Sequence, residues 1–376
     1  MRSIIIFLLM VATTPLWAQF AVGSISLTYT DATRNRDLPF EMMYPASTDG
    51  NGVPCADGVF PYVVIAHGFS MQASDYTYLA QSLAASGYIV LQLATESGFA
   101  PSHADYGLDI LYLVTHFREE NVTDGSWFAG HVMSKAGVIG HSMGGGSAWL
   151  AAAQEDGNID CLVGLAPAET NPSAIDAAPQ VVTPAMILSG SSDAVTPPAQ
   201  NHQPIYDETA SSCKVFVNVL EGSHCGFADD GTLCQFGEFG FNGLATTLQQ
   251  SITQDLVKAW LDWHLKGLTD AAGAIDSYDE IQPNTEIVSG CIVSSIQANA
   301  LSILQIFPNP SDNKISVWGI SEVRHLVVIN GEGRRVDMIC HQRNSDAIEM
   351  DVSYFHPGIY VAMNSSTGAR VRFVVY

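Results

Sequence analysis

The sequence predicts an α/β fold, a mostly parallel twisted sheet with helices on both faces, followed by a small C-terminal β-sandwich. Three observations carry that expectation. Short apolar, β-branched runs alternate with helical segments between residues 62 and 266. The acidic charge of the chain ends near residue 300, and the runs beyond it are short, alternating and separated by turn dipeptides.

At the start, Met1-Arg2-Ser3, an apolar run over 4–11 and Ala18 before Gln19 give a charged end, a hydrophobic stretch and a small residue at a cleavage point. Residues 1–18 are therefore expected to be a signal peptide. The run is too short for a bilayer and no other stretch approaches a span, so no membrane span is expected. Strands near 24–30 and 39–44 should open the sheet in antiparallel fashion. Runs at 62–66, 89–93, 137–139, 162–166, 185–188 and 215–220 supply the parallel strands. Ser74-Asp75 starts a helix that carries Leu79 and Leu83 and ends at Gly87, and 105–118 sets Leu108, Leu111 and Val114 at helical spacing. A long last helix covers 249–266, closing a body over 19–268. Residues 269–303 mix Gly, Pro, Asp and Ser without periodicity and read as a linker, with Cys291 available to tie it back. Runs at 315–318, 326–329, 358–362 and 371–375, around Asn330-Gly331-Glu332-Gly333, make 304–376 the small β-sandwich.

Residues 1–299 hold 8 Lys/Arg against 31 Asp/Glu, whereas residues 300–376 hold 7 of each, so the whole formal charge of −23 lies before residue 300. Such a body repels nucleic acid and anionic membranes, and neither is expected as a partner. Six of the 7 cysteines (Cys55, Cys161, Cys213, Cys225, Cys234, Cys291) are in the acidic part before residue 300 and Cys340 is in the tail. Export makes disulfides the expectation, with the connectivity open. No C-x-x-C pair occurs, and no metal is expected.

The chemistry centres on Gly140-His141-Ser142-Met143-Gly144, between the strand at 137–139 and a helix beginning around Gly145. A serine on a sharp strand-to-helix turn needs strained backbone angles, and glycines on either side remove the Cβ atoms that would clash. The helix N-terminus favours negative charge developing at the reacting oxygen. A serine hydroxyl needs a base held by a carboxylate. Asp193 follows the strand at 185–188 and His224 follows the strand at 215–220, giving the chain order Ser142, Asp193, His224. Asp207 falls in a helix, His202 has no strand before it, and His264 sits beside Trp260 and Trp263 on the last helix, so these are the weaker candidates. His141 reads as packing beside the nucleophile. His67-Gly68-Phe69-Ser70 ends the strand at 62–66, and the N–H groups of Phe69 and Met143 are the expected oxyanion donors. His67 reads as scaffold.

These residues resemble the α/β-hydrolase fold. Ser142-Met143-Gly144-Gly145-Gly146, Asp193-Ala194-Val195-Thr196-Pro197, Pro204-Ile205-Tyr206-Asp207 and Gly222-Ser223-His224 are similar to bacterial cutinase-like polyester hydrolases and dienelactone-hydrolase-like esterases. The resemblance implies a serine carboxylic ester hydrolase without cofactor, acting on short to medium acyl esters or polyesters. It implies Phe69 and Met143 as cleft residues, while loops of about ten residues or fewer leave no segment for a lid, so an open groove is expected with Asn171 and Phe227 as further walls. The loop at 166–172 lacks the tryptophan that polyester hydrolases place there, and His67-Gly68 is nearer the lipase and esterase pattern. Cys225 and Cys234 are candidates for a disulfide that stiffens the loop after His224. A peptidase or amidase on the same fold, or an idle surface adhesin, are the other readings. Ile306-Phe307-Pro308-Asn309-Pro310, Pro357-Gly358-Ile359-Tyr360-Val361 and Phe373-Val374-Val375 are similar to the type IX secretion sorting domain. That resemblance implies the type IX machinery as partner and a secreted or cell-surface monomer of a Bacteroidetes-type bacterium.

Overall fold

The computed structural model describes residues 19–154, 158–229, 234, 237–238, 243–291, 304–307, 309, 311, 313–318, 320, 323–330, 334–336, 338–344, 347–364 and 370–376. The expected signal peptide lies outside them. The chain divides into two units, Met1–Ile292 and Val293–Tyr376.

The first unit is built on a ten-stranded sheet. Its strands are β1 (Ala21–Asp31), β2 (Arg36–Ala46), β3 (Gly50–Asn51), β4 (Phe60–Ala66), β5 (Ile89–Leu93), β6 (Val132–His141), β7 (Cys161–Leu165), β8 (Ala185–Gly190), β9 (Lys214–Val219) and β10 (Thr285–Ser289). They lie in the order β10-β9-β8-β7-β6-β4-β5-β2-β1-β3. Strands β4 to β9 pair in parallel, while β1, β2 and β10 join antiparallel, so the expected antiparallel start is present. All of β4 is buried. Tyr62, Val64 and Ala66 enter one apolar cluster and Val63 and Ile65 the other, as a strand covered on both faces requires.

The helices are α1 (Thr77–Ala85), α2 (His103–Phe117), α3 (Met143–Ala152), α4 (Ala174–Ala177), α5 (His202–Glu208), α6 (Thr246–Lys266), α7 (Asp270–Asp276) and α8 (Tyr278–Ile281). Ser102 caps α2 by accepting from the Asp105 N–H, and Tyr106, Ile110, Leu113, Val114 and Phe117 bury one stripe of it. In α6, Ile252, Leu256, Val257, Trp260, Leu261 and Leu265 form the buried face. That helix stops at Gly267, whose φ of 71° suits a residue without Cβ. The chain leaves β4 towards β5 on one side and returns to β6 on the other, so the carboxyl ends of β4 and β6 flank a topological switch point, where open α/β sheets bind ligands.

One expectation needs correction. The segment from 269 is no linker as far as Cys291: it folds as α7, α8 and β10, buries Ile275 and Tyr278, pairs β10 with β9 and bonds Cys291 to Cys213. Its elements are too short for periodicity to announce them. The expected disulfides form, as Cys213–Cys291 and the candidate Cys225–Cys234, and Cys55, Cys161 and Cys340 are free thiols.

The second unit holds a four-stranded antiparallel sheet of β11 (Gln305–Phe307), β12 (Lys314–Trp318), β15 (Ala347–Asp351) and β14 (Ile339–Asn344). A three-stranded one contains β13 (Leu326–Asn330), β16 (Gly358–Asn364) and β17 (Arg370–Val375). Ile315, Val328, Ile348, Tyr360 and Phe373 meet in one apolar cluster drawn from both sheets.

Candidate active site

Ser142 stands between the last residue of β6 and the first of α3 with φ 53° and ψ −120°, a conformation costly for any side chain. Neighbouring close approaches make it attainable. A Cβ on Gly140 would lie 2.3 Å from the Gly144 carbonyl oxygen, and one on Gly144 would lie 2.3 Å from that of Ala66. The turn is thereby pressed against the end of β4. Ser142 is buried except for 7 % of its surface, and its backbone donates to Leu165 and accepts from Ala168.

The loop after β4 lies directly against this turn: a Cβ on Gly68 would approach Ser142 Cβ to 3.3 Å. Two tyrosine hydroxyls fix the loop, Tyr106 accepting from the His67 N–H at 2.8 Å and Tyr76 from the Gly68 N–H at 2.9 Å. The His67 ring sits between the carbonyls of Gly68 (2.7 Å) and Thr95 (2.8 Å), a scaffold position. Burial pushes its pKa down, and the two carbonyls oppose that. The N–H groups of Phe69 and Met143 donate to no protein acceptor among the described residues, and Met143 opens a helix, whose first N–H groups have no intrahelical partner.

Asp193 and His224 meet. Nδ1 of His224 is 2.7 Å from Asp193 Oδ2, while Asp193 Oδ1 accepts the N–H groups of Val195 (2.8 Å) and Thr196 (2.7 Å). Burial alone would raise the Asp193 pKa. The His224 hydrogen bond and charge, with the Thr196 N–H, outweigh it and hold the carboxyl below its ordinary value. His224 is turned by a short loop whose Ser223 is clamped from α6: Gln249 accepts the Ser223 N–H at 2.9 Å and donates to its carbonyl at 2.8 Å. The N–H groups of His224 and Cys225 both donate to the Glu238 carboxylate, and the Cys225–Cys234 disulfide closes the same loop.

His141, the residue before Ser142, packs against His224. The two imidazoles lie 4.7 Å apart between ring centroids, and His141 Nε2 is 3.2 Å from the His224 carbonyl, which can only accept. His141 Nδ1 therefore accepts from the Tyr76 hydroxyl, 2.7 Å away. Burial pushes His141 well below the usual imidazole range and keeps it neutral. The His224 Nε2 and Ser142 Oγ atoms have no hydrogen bond among the described residues. Both remain available to a reactant.

Other expected residues fare unevenly. Phe69 is half exposed and Met143 is buried to 3 %. Asn171 is exposed, its N–H donating to His103 Nδ1 at 3.0 Å. Phe227 is fully buried, its ring 6.3 Å from that of His141 within the cluster that α6 covers, and is not a groove wall. Asp207, on α5, bonds Gln203 and takes no part, and His264 lies against Trp260 and Trp263. His202 is the opposite case: the first residue of α5, it is buried 3.6 Å from Asp193. The sequence offers His202 only as a weaker candidate for lack of a strand before it and gives Thr196 no role, because each is brought to Asp193 by the turn after β8.

Residues 43–242 match the model of a family described as PET hydrolase-like, more than half of the chain. The chain belongs to the PET hydrolase-like family. This PET hydrolase-like chain is 30 % identical over 182 residues to a bis(hydroxyethyl) terephthalate hydrolase of Streptomyces coelicolor, covering 48 % of this chain and 53 % of that protein. It is 23 % identical over 177 residues to Cutinase est1 of Thermobifida alba, covering 46 % and 55 %. It thus spans about half the length of the curated relatives it matches. Residues 305–375 of the PET hydrolase-like chain match a secretion-system C-terminal sorting domain.

Proposed function

We propose that the chain hydrolyses carboxylic esters through an acyl-enzyme on Ser142. Ser142 Oγ attacks the carbonyl as His224 Nε2 takes its proton, the Phe69 and Met143 N–H groups receive the oxyanion, and the imidazolium protonates the departing alcohol. Water then repeats the sequence. Asp193 keeps the His224 proton on Nδ1 and stabilises the imidazolium. The single observation that supports this most is the buried Asp193–His224 pair at 2.7 Å beside a serine held at positive φ on a helix N-terminus.

For substrate we propose short to medium acyl esters and aliphatic polyesters. The relatives' names cover an aromatic diester and cutin-type esters, while residues 166–172 of this chain contain no aromatic ring to stack on a terephthalate. Ser142→Ala should remove ester hydrolysis with the thermal melt unchanged, and a fluorophosphonate should label the wild type alone. Labelling that persists in the variant places the nucleophile elsewhere. For the tail we propose type IX export with the protein released or displayed outside a Bacteroidetes-type cell. Deleting 304–376 should strand active enzyme in the periplasm, and finding it in the medium would refute a sorting role.

A further inference from the structure

Asp193 is attended by a second buried imidazole that the ester-hydrolysis scheme leaves idle. The two ring nitrogens of His202 face two hydroxyls: Nδ1 is 2.8 Å from Ser189 Oγ and Nε2 is 3.0 Å from Thr196 Oγ1. Ser189 and His202 are fully buried, and Thr196 is buried to 7 %. The Thr196 hydroxyl is the junction, lying 2.9 Å from Asp193 Oδ2, 2.9 Å from His224 Nδ1 and 3.4 Å from the Ala166 carbonyl.

Counting protons selects one arrangement. A neutral imidazole has one N–H, each hydroxyl has one O–H, and an ionised carboxylate only accepts. With the His202 proton on Nδ1, Ser189 would accept it, and the Ser189 proton would have no acceptor among the described residues. Nε2 would then compete with Asp193 for the one Thr196 proton. With the proton on Nε2, every buried donor is satisfied: Ser189 O–H to His202 Nδ1, His202 Nε2–H to Thr196 Oγ1, and Thr196 O–H to Asp193 Oδ2. All three hydrogen bonds then run towards the carboxylate, and each polarises the next.

We infer that His202 is a positioning residue for the base, directing the Thr196 hydroxyl onto Asp193 so that the carboxylate stays ionised and aligned on His224 Nδ1. This rests on the roles proposed above for Asp193 and His224. Asp193 then accepts four bonds, from Val195 and Thr196 N–H on Oδ1 and from Thr196 O–H and His224 on Oδ2. Burial pushes His202 down to about 4, so it remains neutral while His224 cycles. The titratable groups around His224 are Asp193 and His202 from the β8 side, His141 from β6 and Glu238 from the loop closed by Cys225–Cys234. Removing the donor chain leaves Asp193 with fewer partners and a stronger hold on the His224 proton, which raises the pH at which the base becomes free.

The test uses the full chain with His202→Leu, His202→Gln, Thr196→Val and Thr196→Ser, each assayed for kcat and KM on p-nitrophenyl butyrate across pH. His202→Leu and Thr196→Val should lower kcat about tenfold at little changed KM and move the acid limb upward by several tenths of a pH unit. His202→Gln, which keeps an N–H towards Thr196, and Thr196→Ser should recover most of both effects. A merely structural role would lower activity without moving the limb, and an unmoved limb, or His202→Gln no better than His202→Leu, overturns the inference. The imidazole ¹⁵N spectrum of the unmutated protein gives an answer independent of turnover. His202 Nδ1 should appear unprotonated, and a proton there overturns the inference even if the wild type cleaves no ester, an outcome that would itself count only against the hydrolase proposal.

Discussion

The two phenylalanines expected to wall the groove have opposite environments. Phe69 is half exposed beside the N–H proposed to hold the oxyanion, whereas Phe227 packs near His141 with none of its surface in water. Phe227→Ala should therefore cost about 3–5 kcal/mol of stability through the cavity it leaves, with KM nearly unchanged. Phe69→Ala should leave stability within about 0.5 kcal/mol and raise KM for esters. Denaturant melts with steady-state kinetics separate the two, and a raised KM in Phe227→Ala would return that ring to the groove. Ser142 was legible in the sequence because its strain is local: flanking glycines, strand before, helix after. His224 and Asp193 were legible from chain order. Tyr76, Thr196, His202 and Gln249 were not, because their roles exist only as contacts across the fold. Tyr76 meets His141 65 positions on, and Gln249 reaches Ser223 26 positions back.

Among the elements, the central strands were the most legible, since burial on both faces forces nearly continuous apolar runs. The segment after α6 was not, because α7, α8 and β10 contain seven, four and five residues. What makes it part of the body is tertiary. β10 covers the edge of β9, Ile275 and Tyr278 enter the cluster beneath α6, and Cys291 bonds Cys213 across a separation of 78 residues. A closed loop of that size stabilises by about 4 kcal/mol in the chain-entropy account, and an uncovered edge strand invites aggregation. A chain of residues 19–291 should then melt well above one of residues 19–268, with the shorter chain tending to aggregate. Equal melting temperatures would make the segment a dispensable linker after all. A fragment ended inside β10, short of Cys291, should be destabilised in the same way.

At the scale of the whole molecule, charge and buried histidines set different limits on acid tolerance, and they act in different pH windows. The net charge of −23 on residues 1–299 is relieved only as carboxylates take up protons, around pH 4 and below. The histidines act earlier. Burial pushes His202 and His264 down to about 4, and it holds His141 well below the usual imidazole range and His67 below it. In the unfolded chain each returns to about 6.5. Between those values the unfolded chain binds protons that the folded one refuses, so stability is greatest above pH 6.5 and declines as pH falls towards 4. One histidine moved from 6.5 to about 4 corresponds to roughly 3 kcal/mol over that interval, enough for a few of them to exhaust the margin of an ordinary domain. Asp193 and Asp262, held below the usual carboxylate range, keep their contribution through this window and lose it only as pH drops through their lowered values. Chemical denaturation from pH 8 to pH 4.5 at high salt, which screens the surface charge but not the buried rings, should show the decline starting near pH 6.5. His202→Gln should make it shallower by about one histidine's share. A stability that stays level down to pH 4.5 would mean that these rings are solvated, and with them the polar network behind Asp193.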